Sequence, residues 1–376
     1  SPHLVEINER IRLGGEPIPP ADFAAVFTAL RAKIERLLAN GRLRFHPTYF
    51  ECLTAMAMEY FREQRCEFAV LEVGMGGRLD ATNTATPRLS IITQIDFDHE
   101  RFLGTTIPAI AAEKAGIIKP GGMVVSTASH PQAAAAIRRK AGEENARLVE
   151  VWKEYAAEDR EAHQGLYRFV ARHGDGLSLP VKLSLRGIHQ VENALAVIAA
   201  SRELSRLGFP VVTERSIQEG LATAEWPGRL ELVREAPQVF LDGAHNPAGA
   251  RALARFWEEE FPSRRIILVY GAMRDKAVPE IAETLFPKAA AVVLTQPEQS
   301  RAVAPETIRD VSQHLNRRIL IEPSPAKALE RALALAHADD VVFATGSLFL
   351  VGDLKRRCFQ NAAPHQESLP VSSLSQ

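Results

Sequence analysis

The chain is poor in cysteine, balanced in charge and without a long apolar run. Its three cysteines, Cys52, Cys66 and Cys358, are too few for a disulfide framework and lack metal-ligand spacing. A reducing, cytoplasmic setting is therefore expected. With 45 basic against 46 acidic residues, neither a nucleic acid nor an anionic membrane surface is indicated as a partner. No apolar stretch approaches the roughly 20 residues needed to span a bilayer. The opening Ser1-Pro2-His3-Leu4-Val5 does not resemble a signal peptide, and there is no initiator methionine. No G-x-G-x-x-G follows the first strand of the second half, which leaves a nicotinamide-binding role there unsupported.

What the chain does contain is alternation. Its 376 residues suggest two domains. Apolar residues at helical spacing predict a helix over 21–38, closed by Asn40-Gly41, and a second over 49–64. Buried strands are predicted over 68–71, 89–95, 123–126 and 148–151. Helices are predicted over 108–115 and 131–145, with Thr106 as a cap and Pro108 in the first turn. Short alternating pieces between Trp152 and Leu185 predict a small antiparallel section, and 189–207 an amphipathic helix. Trp226-Pro227-Gly228-Arg229 reads as a hinge. Beyond it, strands at 238–241, 266–270, 290–295, 318–321 and 341–344 alternate with helices, which implies a parallel, Rossmann-like sheet. Asn246 suits the N-cap and Pro247 the first turn of a helix to about Phe261. The tail from Asn361 is polar and is expected to be disordered.

Phe68 to Asn83 is the centre of interest. An apolar run, Phe68 to Leu71, is followed at once by Glu72, then by Gly74, Gly76 and Gly77, with Arg78 and Asp80 in the same loop. A carboxylate at the end of a buried strand is costly unless a cation meets it. Ligands of open α/β sheets lie beyond the carboxyl ends of the strands. Glu72, His99 and Lys114 all fall at strand or helix ends. Glu and His can ligate a divalent ion, and magnesium would favour the carboxylate and waters. A lysine ligates only as a neutral amine or after carbamylation. Each residue also has an ordinary reading: a satisfied histidine, a solvated lysine, a glutamate paired with Arg78. Polar strand ends recur in the second half as Asp242, His245 and Asn246, which suggests a cleft between two domains.

Taken together, these segments resemble the bacterial folylpolyglutamate synthase/dihydrofolate synthase family of the Mur ligase superfamily. The resemblance rests on Ser1-Pro2-His3-Leu4 with Asn8-Glu9-Arg10, on Leu71 to Asn83, on Asp98-His99 with Leu103-Gly104, and on Glu113 to Gly121. It continues in His189-Gln190 with Asn193-Ala194, Pro227-Gly228-Arg229, Asp242 to Pro247 and Thr345-Gly346-Ser347-Leu348. It implies an α/β architecture: a P-loop-NTPase-like Mur ligase central domain over 1–225 and a Rossmann-like glutamate ligase domain over 226–360, with a tail over 361–376. It implies an ATP-dependent amide ligase that adds L-glutamate to a reduced folate, or to dihydropteroate, through an acyl phosphate. Ser1, Glu72 and His99 would be magnesium ligands, and a carbamylated Lys114 would support a second magnesium site. Asn193, Arg229 and Asp242 would contact ATP. His245 and Ser347 would lie near the incoming glutamate, and Thr48, Phe50 and Asp80 would line the pterin site. Lys114, His245 and Arg229 are the catalytic candidates, and a monomer is expected. For Ser347 and Thr48 the other reading is helix capping.

The family's GxxxxGK[ST] phosphate loop has no counterpart, because no Gly-Lys-Ser or Gly-Lys-Thr occurs in the sequence. The expectation is a fragment lacking the first strand, that loop and its helix, with little ligase turnover of its own. Two other classes stay open: a Mur-type ligase acting on a cell-wall precursor, and a non-catalytic folate- or nucleotide-binding protein.

Overall fold

The computed structural model of the protein describes residues 3–97 and 99–359. The expectations placed on Ser1, Asp98 and the 361–376 tail lie outside the described residues. The chain divides into two compact units, Ser1–Glu225 and Trp226–Gln376.

The first unit opens with helices α1 (Pro20–Ala39) and α2 (Tyr49–Glu63). Each turns one apolar face inward, and Val26, Leu53, Met56 and Tyr60 close a small core with Ile11 and Ile18. Gly41 takes the left-handed conformation just past α1, as the Asn-Gly ending predicts. A parallel sheet follows. Strands β1 (Leu89–Ile92), β2 (Met123–Ser126) and β3 (Arg147–Glu150) lie in that order, with Leu89 opposite Met123 and Met123 opposite Arg147. Helices α3 (Ile107–Ala115) and α4 (Pro131–Glu143) connect them. Both carry proline in the first turn, and the Thr106 hydroxyl accepts the Ala109 N–H.

The predicted antiparallel section is a three-stranded meander, β4 (Tyr155–His163), β5 (Leu166–His173) and β6 (Leu177–Lys182). Strand β6 alternates strictly, with Leu177, Leu179 and Val181 inside. Helices α5 (His189–Arg206) and α6 (Glu214–Thr223) complete the core that joins this meander to β2 and β3.

An ion network ties α5 to the β5–β6 turn. One Asp175 carboxylate oxygen accepts from Arg202 at 2.7 Å and Arg206 at 2.8 Å, and the other lies 2.7 Å from His173 Nδ1. Hydrogen bonds from Arg202 and His173 hold the Asp175 carboxyl well below the usual carboxylate range. A depressed folded-state value contributes stability above the unfolded value of about 4, and that stability is lost as pH falls toward the folded value. The denaturation midpoint should therefore drop below about pH 4, and Asp175→Asn should flatten that drop. Equal pH slopes in the two proteins, followed by circular dichroism, would contradict the assignment.

The second unit is one six-stranded sheet. Its strands are β7 (Glu231–Glu235), β8 (Gln238–Leu241), β9 (Ile266–Tyr270), β10 (Ala291–Leu294), β11 (Ile319–Ile321) and β12 (Val341–Thr345), in the order β11-β10-β9-β12-β8-β7. The strands from β8 to β12 are mutually parallel, and β7 is an antiparallel edge. Helices α7 (Pro247–Glu260), α8 (Val278–Leu285), α9 (Pro305–Ser312), α10 (Pro325–Leu335) and α11 (Leu348–Cys358) alternate with them. All residues of β8, β9, β10 and β12 are buried, the continuous apolar pattern of a sheet covered on both faces. The last strand inserts between β8 and β9. The carboxyl ends of three adjacent strands thereby meet at residues 242–247, 271–276 and 345–348.

The 68–71 run corrects the sequence expectation. It forms no strand, and Phe68 and Val70 are 49 % and 95 % exposed. Phe68 packs on Phe209, with ring centroids 4.7 Å apart. A short apolar run favours extended backbone but does not specify a pairing neighbour, and no described strand pairs with it. Glu72, expected at a buried strand end, is exposed.

Candidate active site

The loop after Glu72 is shaped by close approach. A Cβ on Gly77 would lie 2.8 Å from the Lys114 carbonyl and 2.9 Å from that of Glu113. A Cβ on Gly116 would lie 2.4 Å from Arg78 Cβ and 2.6 Å from Arg78 Cα. The glycines therefore let loop 74–80 lie directly on the carboxyl end of α3. The Arg78 N–H donates to the Glu113 carbonyl at 2.9 Å, and its guanidinium pairs with the Glu113 carboxylate at 2.9 Å. The alternative of a Glu72–Arg78 pair thus gives way to an Arg78–Glu113 pair. Gly76 would meet Leu103 Cδ2 at 2.8 Å, so the turn that follows His99 packs on the same loop. The backbone segments bearing Glu72, His99 and Lys114 accordingly converge.

His99 sits in the left-handed region at φ 51°, uncommon for a residue with a side chain. It precedes the short turn Glu100–Leu103 and is half-buried, as is Lys114 in the last turn of α3. Among the described residues, no group of three or more His, Cys, Asp or Glu is placed to hold a metal. A carboxylate and an imidazole at converging loops still fit magnesium, which takes one or two carboxylates and fills its octahedron with waters and phosphate oxygens.

Asp80 was expected to face a pterin, and its carboxylate is engaged elsewhere. Oδ2 accepts the Gly74 and Met75 N–H groups, each at 3.0 Å. Oδ1 accepts the Thr82 N–H at 3.0 Å and the Thr82 hydroxyl at 2.6 Å. A carboxylate has about four acceptor positions, so the loop itself fills them. Thr48 likewise caps α2 in a reciprocal box with Glu51, the capping alternative. Phe50 does join this region, since a Cβ on Gly74 would lie 2.7 Å from its ring. Asn193 is exposed near the amino end of α5 and donates to Gln190 Oε1 at 3.0 Å.

In the second unit the strand ends carry the expected residues. Asp242 is buried and organises its surroundings: Oδ2 accepts the Leu230 N–H at 3.0 Å and Oδ1 the Ala244 N–H at 2.9 Å. This fixes the segment bearing Arg229 against the loop after β8, and Arg229 Nη1 lies 3.1 Å from where a Gly243 Cβ would be. His245 Nδ1 is 2.8 Å from the Gly243 carbonyl. A carbonyl only accepts, so Nδ1 carries the proton there. Asn246 caps α7 (Pro247–Glu260) by accepting the Gly249 N–H at 2.8 Å. Ser347, 2 % exposed, caps α11 (Leu348–Cys358) through the Phe349 N–H at 3.1 Å, again the capping alternative. Gly346 N–H donates to the Ala244 carbonyl at 3.0 Å, tying the two helix starts together. Two helix amino ends beside a guanidinium favour an anionic ligand.

Comparison with known proteins agrees with this layout. Residues 44–201 match the Mur ligase middle domain, and residues 228–348 the Mur ligase glutamate ligase domain. The Bacillus subtilis dihydrofolate synthase/folylpolyglutamate synthase is 33 % identical over 95 % of this chain and 82 % of its own length. The Lacticaseibacillus casei folylpolyglutamate synthase gives 33 %, 95 % and 82 % on the same measures. A solved Mycobacterium tuberculosis folylpolyglutamate synthase complexed with ADP and AMPPCP superposes with a TM-score of 0.87 at 31 % identity, covering 95 % of this chain and 83 % of that one. The chain belongs to the folylpolyglutamate synthase/dihydrofolate synthase family. It is an ATP-dependent glutamate ligase of the Mur ligase superfamily, and neither a cell-wall ligase nor a non-catalytic binder is favoured.

Within that family frame, sequence reasoning passed over some of the residues that hold the site. Asn83 and Lys119 lie inside the matched motifs without a role of their own. Asn83 Nδ2 donates to the Arg78 carbonyl at 3.0 Å and the Gly116 carbonyl at 3.1 Å, and Lys119 Nζ donates to the Asn83 carbonyl at 2.8 Å. The signal in the sequence was only that an amide stands at the end of a glycine-rich loop.

Proposed function

We propose that the first unit holds magnesium on Glu72 and His99, with Lys114 carbamylated in support of a second magnesium, and that the second unit binds the incoming glutamate. The observation that carries this is the seating of the Glu72 loop on the Lys114 helix end through Gly77 and Gly116. Magnesium, when bound, offsets the charge of the phosphates and of the developing oxyanion. Lys114 as a carbamate changes from an ammonium, which repels a cation, to a carboxylate, which attracts one. Asn193, Arg229 and Asp242 serve ATP: Arg229 as the cation, and Asp242 by fixing the backbone on which Arg229 stands. The folate carboxylate is activated as an acyl phosphate, and the glutamate amine attacks its carbonyl as phosphate leaves. His245, its Nδ1 proton given to the Gly243 carbonyl, keeps Nε2 as an acceptor for the glutamate amine, and the start of α11 at Ser347 offers a glutamate carboxylate a helix amino end. Phe50 and the loop shaped by Asp80 receive the pterin of a reduced folate or dihydropteroate. The enzyme acts as a cytoplasmic monomer, in keeping with its three free cysteines. No helix among the described residues is long and apolar enough to cross a membrane.

Lys114→Ala, made in a protein extended to carry the family's phosphate loop, tests the reading. Turnover with ATP, magnesium, glutamate and a reduced folate should fall on the order of 100-fold, with partial rescue by a short carboxylate such as acetate. The carbamate resonance seen after 13C-bicarbonate labelling should disappear with it. Wild-type turnover in the variant would remove Lys114 from the mechanism.

A further inference from the structure

We propose that Asn83 is a positioning residue of this site, whose side-chain amide sets the register of the Glu72 loop against the Lys114 helix end. The two contacts it makes belong to different segments. The Arg78 carbonyl is in the glycine loop, and the Gly116 carbonyl is one residue past the end of α3. One amide nitrogen therefore stitches the two backbones together where both need glycine to approach. Asn83 is itself held from either side. Its N–H donates to the Asp80 carbonyl at 2.9 Å, and its carbonyl accepts Lys119 Nζ at 2.8 Å. A carbonyl has no donor of its own, so two facing carbonyls separate unless a donor bridges them. Asn83 supplies that donor, half-buried, with a short stem that fixes the spacing. Arg78–Glu113 spans the same seam but is a partly exposed ion pair, with side chains 56 % and 28 % exposed, and contributes little on its own. Among the described residues the Asn83 side chain donates to backbone carbonyls, so it acts through the backbone. A shift of about 1 Å at such a seam can lower a reaction rate by about 100-fold.

The inference rests on the metal reading proposed above, and its test separates the two. Asn83→Asp keeps the size of the side chain and replaces the donor by an acceptor facing two carbonyls. Hydrogen exchange followed by mass spectrometry should show the Arg78 amide, which donates to the Glu113 carbonyl, exchanging about tenfold faster or more, while exchange in β2 and β3 stays unchanged. The dissociation constant for Mn2+ alone, read from the electron paramagnetic resonance of the free ion, should rise about tenfold. In a protein extended to carry the family's phosphate loop, the KM for glutamate should stay within about twofold and turnover should fall, a split that general destabilisation does not produce. If Asn83→Asp does not fold, Lys119→Met, which loosens Asn83 from one side only, should show the same changes at smaller size. Unchanged exchange at Arg78 overturns the proposal, as does faster exchange with wild-type Mn2+ affinity in a protein where Glu72→Gln weakens Mn2+. If Glu72→Gln also leaves Mn2+ affinity untouched, the metal reading falls and the positioning role with it, while faster exchange at Arg78 would leave the seam itself standing.

Discussion

Gly346→Ala destabilises the second unit by about 2–6 kcal/mol. Two costs add at this position. Gly346 has φ +105°, a conformation that residues with side chains rarely adopt, and such strain costs about 1–3 kcal/mol. The new Cβ would also lie 2.6 Å from Tyr270 Cε2 and 2.7 Å from the Gly271 carbonyl oxygen. Neither neighbour can swing away. One is backbone, and the other is a fully buried ring in edge contact with Phe286 at 5.3 Å. Overpacking of this kind costs about 1–3 kcal/mol. Gly208→Ala separates the two costs, since Gly208 has φ +95° and nothing within 4 Å of a new Cβ. In chemical denaturation Gly346→Ala should lose more than Gly208→Ala by the overpacking cost alone. Equal losses would show that the clash relaxes freely. The effect reaches function because Gly346 N–H holds the Ala244 carbonyl and Ser347 begins α11. The end of the sheet proposed to receive glutamate should therefore loosen before the unit unfolds.

The second unit was readable in the sequence because β8, β9, β10 and β12 are apolar runs of four or five residues, three of them closed at once by glycine or aspartate. Burial on both faces leaves no competing pattern. Strand β7 escaped because an edge strand needs little burial: only Val233 is buried in Glu231–Glu235. The 68–71 run misled for the opposite reason. Its composition is that of a buried strand, and pairing is a property of a neighbour that composition does not encode. At the site, residue types were legible and their duties were not. Asp80 and Ser347 stand in the matched motifs and Thr48 outside them, yet all three side chains hold their own loop or helix end. Asn83 shows the limit most plainly, since one of its carbonyl partners lies 33 residues further along the chain. Glycine at 77 and 116 carried the real signal. Two glycines separated by a helix mark a close approach of backbones, and the donor that spans it must come from nearby.

The second large effect concerns Glu203, whose side chain is buried on α5 and lies 3.3 Å from Arg147 and 2.5 Å from Arg206. Both cations meet Oε1, while Oε2 is buried with no hydrogen-bond partner among the described residues. The carboxylate therefore depends on those two guanidinium groups. Removing both in Arg147→Ala/Arg206→Ala strands a buried charge, and breaking such a pair costs about 3–5 kcal/mol. Asp175 keeps Arg202 and His173, so its own anchoring persists through the double substitution. Adding Glu203→Leu to the double variant removes the stranded charge and fills the site with an apolar side chain. The triple variant should then be more stable than the double, an energetic coupling of opposite sign to simple addition. A triple variant no more stable than the double in urea denaturation would show that the arginines contribute by packing their stems rather than by charge. The same α5 carries Asn193 near its amino end. The ATP contact proposed for Asn193 then predicts weaker ATP binding in the double variant and its recovery in the triple.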